Sequence, residues 1–130
     1  MIKKDFREDI YLLDWTLIIS EKKEDEKEII KLLKKVNCEV DGISDANGFT
    51  LHRNWQFIII LNVWKKNMKD LVYLLSVIRH EVHHLCADVY DTIGEDSKIL
   101  DSESFLYFND YIFRKILNTK AFRKVLDKIK

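Results

Sequence analysis

A chain of 130 residues with 22 basic and 22 acidic side chains has no formal net charge at pH 7, which excludes a global field drawing it to nucleic acid or to an anionic membrane. Its 47% hydrophobic and 34% charged residues are the balance of a domain that buries a core, and they exclude a disordered chain. Two cysteines, Cys38 and Cys86, with no C-x-x-C pair, exclude a disulfide framework and suit a reducing, cytoplasmic setting.

No proline, three glycines, no internal repeat and no Ser/Gly-rich linker predict one domain over 1–130 with few long loops. The sheet-containing half is expected over about 1–66. The apolar stretch IYLLDWTLII, residues 10–19, is interrupted by Asp14, lacks a cleavage site after it and is too short to span a bilayer, so it reads as a core segment. YLLDWTLIIS, residues 11–20, is rich in β-branched and aromatic residues and predicts a strand. EDEKEIIKLLKKVN, residues 24–37, predicts an amphipathic helix whose apolar face is Ile29, Ile30, Leu32, Leu33 and Val36. Turn chemistry follows at Asp41-Gly42 and Asn47-Gly48. FTLHRNWQFIIILNVW, residues 49–64, predicts two strands or one bent strand, and its unbroken Phe57–Leu61 run predicts burial on both faces.

From about 68 to 93 the period becomes helical, with Leu71, Leu75, Ile78, Val82, Leu85 and Val89 as the apolar stripe and Gly94 as the stop. A polar loop, EDSKILD, leads to a helix over about 102–118, and a basic amphipathic helix closes the chain over about 119–130. The order of elements predicts an α+β fold: a small N-terminal β-sheet packed on a long helix and on C-terminal helices.

Three of the chain's four histidines fall within VIRHEVHHLC, residues 77–86. His80-Glu81-Val82-His83-His84 is an H-E-x-x-H motif. A chance match in a chain of this composition has odds of roughly one in a hundred, so the context has to carry the rest. On a helix His80 and His84 stand one turn apart and can grip one ion, while Glu81, not a ligand, is placed to act as a general base toward water at that ion. At about 100° per residue, the apolar stripe clusters within about 60° of Ile78, whereas His80 and His84 fall near ~200° and ~240°. The stripe therefore anchors the helix and the two histidines face a cleft. His83 points elsewhere and reads as a bystander, Cys86 as a small buried hydrophobe. Asp88 continues the His80–His84 line and is placed either to orient a ligand histidine or to stand solvated at the helix end.

A catalytic zinc takes three protein ligands and leaves one position open. A glycine at 87 and a histidine at 90 would supply the third ligand from the same segment, but the chain has Ala87 and Tyr90; the inverted H-x-x-E-H order fails at His83. A downstream carboxylate remains: Glu95, Asp96, Asp101 or Glu103. The first two read equally well as solvated loop charge, and Asp101 or Ser102 as an N-cap. Glu103 falls in a first helical turn, and Phe105, Phe108, Ile112 and Ile116 lie about 140° to 220° away from it. Glu103 thus faces away from its own helix's apolar stripe and is the first choice, with Asp101 the runner-up.

This set resembles the gluzincin branch of the HExxH zincin metallopeptidases. The stretch from about 70 to 117 also resembles small phage-encoded zincin-like proteins, in which an E-x-x-x-Y start, here Glu103 and Tyr107, opens the later helix. The resemblance implies one Zn2+ ion held by His80, His84 and Glu103, Glu81 as general base, and hydrolysis of a peptide or protein substrate, in a host cytoplasm if the chain is phage-encoded. It further implies an edge strand beside the active-site helix, for which WQFIIILNVW is the candidate. The supporting aspartate of gluzincins is replaced by Tyr107, a candidate oxyanion stabiliser; Asp110 or Asp88 would have to take over that support. The alternative is a non-catalytic zinc-binding module that modulates a host or partner protein, with aromatics such as Trp15, Trp55 and Trp64 on its surface. Neither nucleic acid nor membrane is expected as a partner: the lysines of the last helix alternate with apolar residues, which predicts a docked helix with a solvated basic face.

Overall fold

The computed structural model describes residues 1–9, 11, 13–53, 55–94 and 102–129. Four strands and four helices follow in the order β1 (Ile2–Glu8), β2 (Leu13–Ser20), α1 (Asp25–Lys35), β3 (Gly48–Arg53), β4 (Gln56–Asn62), α2 (Leu71–Thr92), α3 (Glu103–Leu117) and α4 (Lys120–Ile129). The sheet runs β1-β2-β4-β3. β2 and β4 pair in parallel, while β1 on β2 and β3 on β4 are antiparallel. The fold is α+β, with an N-terminal sheet and C-terminal helices.

Alternation along the inner strands explains the layering. Leu13, Trp15, Leu17 and Ile19 of β2, with Phe57, Ile59 and Leu61 of β4, join the core shared with α2, α3 and α4. Ile18, Ile58 and Ile60 face the other way, onto Ile29 and Leu33 of α1. Because helices cover both faces, β4 can be apolar at every position from Phe57 to Leu61, as a central strand in such a sandwich requires. The Phe57–Leu61 run is buried throughout.

Several expectations need correction. WQFIIILNVW is not at an edge: β4 lies between β2 and β3, and the edge strand on that side is β3. β1 forms from the charged IKKDFRE, where only Ile2 and Phe6 are apolar and Glu8 is the buried member. Trp15 is a core residue stacked on Phe6 at 4.3 Å between ring centroids, whereas Trp55 is 59% exposed. The long helix begins at Leu71, capped by the Asp70 carboxylate, which accepts from the Val72 N–H at 3.2 Å; residues 66–69 form a 3-10 turn. Leu71 is exposed and Leu74 takes the buried place, since Leu74, four residues before Ile78, shares its face. Cys86 and Tyr90 widen the buried stripe because α2 packs on both the sheet and α3. Gly94 ends the run at φ +82, a conformation glycine adopts freely, and its N–H donates to the Asp91 carbonyl at 3.1 Å.

Ser102 caps α3, its hydroxyl accepting from the Phe105 N–H at 3.3 Å. Thr119 caps α4 in the same way toward Phe122 at 3.1 Å, and Phe122 and Val125 seat α4 on the core. Among the described residues no helix is long and apolar enough to cross a membrane.

Candidate metal centre

Strand alternation on β3 brings Gly48, Thr50 and His52 to one side, and that side meets α2. The pairing of these two elements builds the candidate site. His80 and His84 are exposed on α2, their Nε2 atoms 3.0 Å apart and their rings edge-on at 83°. Two ligands on one tetrahedral ion with bonds of ~2.1 Å lie about 3.4 Å apart, so a few tenths of an ångström bring this pair to zinc-binding spacing.

Glu81 sits between them in sequence but inward in space, only 6% exposed. Thr50 Oγ1 lies 2.9 Å from Glu81 Oε1 and 2.9 Å from the Glu81 backbone carbonyl oxygen; its single proton donates to one of the two at a time. Gly48 makes the burial sterically feasible. A Cβ there would stand 2.9 Å from Glu81 Cγ and 3.0 Å from Val77 Cγ1. The glycine read from sequence as turn chemistry opens β3 instead, and serves close approach of strand to helix.

Asn47, Tyr73, Ser76 and Val77 close around His80 and Glu81 to form a cleft of about 450 Å³. Asn47 Nδ2 donates to Tyr73 Oη at 2.7 Å, while its buried Oδ1 has no partner among the described residues. The chain's fourth histidine, His52, places Nδ1 3.4 Å from Asp88 Oδ2 and stacks on Phe57. Asp88 therefore engages a residue of β3. The one available signal for Thr50 and His52 was their period-two alternation with Gly48.

The other expected residues are dispersed. Glu103 is exposed in the first turn of α3. Among the described residues, no three His, Cys, Asp or Glu side chains gather where they could hold one ion, so Glu103 is not assembled with the histidine pair. Asp101, Glu95 and Asp96 lie outside the described residues. Tyr107, 69% exposed, lines a groove between β1, α3 and α4 and not the His80–Glu81 cleft. Asp110 lines that same groove and is engaged by Arg79 at 2.8 Å, whose guanidinium holds its carboxyl below the usual range. His83 meets Phe105 edge-on at 5.4 Å, and burial pushes the Cys86 thiol up.

No family model, no curated protein and no solved structure matches the chain.

Proposed function

We propose that this chain is a zinc-dependent peptidase that cleaves an exposed segment of a peptide or protein. The observation carrying the reading is Glu81: a buried carboxylate that lines one cleft with His80 and is hydrogen-bonded by Thr50, an arrangement that metal binding alone would not need. His80 and His84 would hold the ion, with Glu103 as third ligand and Asp101 as its runner-up. Zinc in such a site acidifies water and polarises a carbonyl. Glu81 takes the proton of the attacking water and returns it to the leaving amine. Thr50 keeps the accepting oxygen oriented, and Gly48 leaves the space for it. If the chain is phage-encoded, its target would be met in a host cytoplasm.

The deciding comparison is wild type against Glu81→Gln, measuring zinc content and cleavage of a broad peptide library. Both proteins are expected to hold one zinc ion, and cleavage is expected to fall about a hundredfold or more in the variant. A second reading, a zinc-binding module without catalysis, draws on the wide basic groove that lies apart from the histidines. Zinc in both proteins and cleavage by neither would select that module.

A further inference from the structure

A groove of about 1120 Å³ runs between β1, α3 and the start of α4. Six basic side chains line it: Lys3 and Lys4 from β1, Arg114 and Lys115 from α3, Lys120 and Lys124 from α4. Asp110 is the one acidic residue of its lining, and Arg79 already engages it. Lys3 pairs with Asp5, and Lys115 with buried Glu8. Among the described residues, Lys4, Arg114, Lys120 and Lys124 make no salt bridge. In a chain whose charges cancel overall, this is a local cationic surface that calls for an anionic occupant.

The backbone specifies the occupant further. β1 is an outer strand of the sheet, paired on one side with β2, so its other side can take another strand. Ile2, Lys4 and Phe6 share the β1 face that lines the groove. A strand laid along β1 would send every second side chain toward that same face. We propose that the groove captures an acidic extended segment of a partner protein, which adds to β1 and points alternate Asp or Glu side chains at Lys4, Arg114, Lys120 and Lys124.

Single-stranded nucleic acid fits less well, because it needs successive open aromatic platforms. Phe6 is stacked on Trp15, with the Lys4 and Lys115 ammonium groups 6.0 and 5.8 Å from its centroid. Tyr111 Oη donates to Glu8 at 2.7 Å and its ring lies under Lys115. Tyr107 alone of the three stands open.

The capture goes beyond the peptidase reading and stands without zinc or Glu81. Its test is fluorescence anisotropy at low salt with a labelled peptide of alternating Glu and Val, seven residues long to match β1. Two further peptides are N-methylated at every Glu or at every Val, which blocks one or the other hydrogen-bonding edge. The unmodified peptide is expected to bind, and one N-methylated form to lose binding while the other keeps it, reporting the strand direction. The Lys120→Glu/Lys124→Glu variant, changed at two exposed positions, should bind about tenfold more weakly or worse, with its melting temperature as the folding control. Equal binding of both N-methylated peptides, unchanged binding by the charge-reversed protein, or tighter binding of oligo-dT that depends on Tyr107 would each overturn the proposal.

Discussion

Thr50 and Gly48 act on Glu81 in different ways: the threonine donates a hydrogen bond to it and the glycine withholds a side chain from it. Thr50→Val removes the donor and keeps the shape. A hydrogen bond to a charged group is worth about 1.5–3 kcal/mol, so peptide cleavage should fall at least about tenfold, while zinc stoichiometry, which involves neither atom, stays at one. Unchanged cleavage by the valine variant would mean that Thr50 is only packing. His80, Glu81 and His84 were legible from the chain because their relation is local, one turn of a helix. Gly48, Thr50 and His52 were not, because a strand more than twenty positions upstream acquires meaning only when the sheet presents it to α2. The Asn47-Gly48 pair even argued for a different role, since a turn and a tight strand–helix contact both select glycine.

Among the elements, β1 was the one the chain concealed, and the reason lies in what holds it. Its tie to α3 is polar: Glu8 accepts from Lys115 Nζ at 2.8 Å and from Tyr111 Oη at 2.7 Å, and it also accepts from Trp15 Nε1 of β2 at 3.2 Å. Burial alone would raise the Glu8 carboxyl, but these three donors and the Lys115 charge together hold it below the ordinary range. Burial likewise opposes the charge on Lys115, and Glu8 and Tyr111 raise it in spite of that. A lowered carboxyl stabilises the fold above the ordinary glutamate value and loses that contribution as pH falls through its own. Thermal denaturation should therefore show stability declining below about pH 4.3. Glu8→Gln, which cannot carry the charge, should cost about 1–3 kcal/mol at neutral pH and flatten that acid limb. An acid limb identical in the two proteins would assign the decline to other carboxylates. Hydrophobic pattern placed β2, β4 and the helices because burial dictates them; an outer strand anchored by one buried ionic cluster leaves almost no periodic trace. Position in the chain alone makes WQFIIILNVW the candidate edge, whereas its unbroken apolar run marks the centre.

For the molecule as a whole, the α+β class and the element order followed from the chain, and the covering of β4 by helices on both faces followed from its unbroken apolar run. Assembly of a three-ligand site did not, because it depends on where the start of α3 stands relative to a distant turn of α2. Zinc analysis of Glu103→Ala and Asp101→Ala addresses this directly. Glu103→Ala should leave substoichiometric zinc and Asp101→Ala should leave one ion; the opposite result would transfer the third ligand to Asp101. The strand order also sets a ruler. The His80–Glu81 cleft adjoins β3 at one edge of the sheet and the cationic groove adjoins β1 at the other. A strand added outside β1 would lie four strand spacings from β3, about 19 Å at ~4.8 Å each. A target that occupies both places at once thus needs a spacer of about six extended residues or more, and one that has it meets the cleft as a tethered, locally concentrated chain.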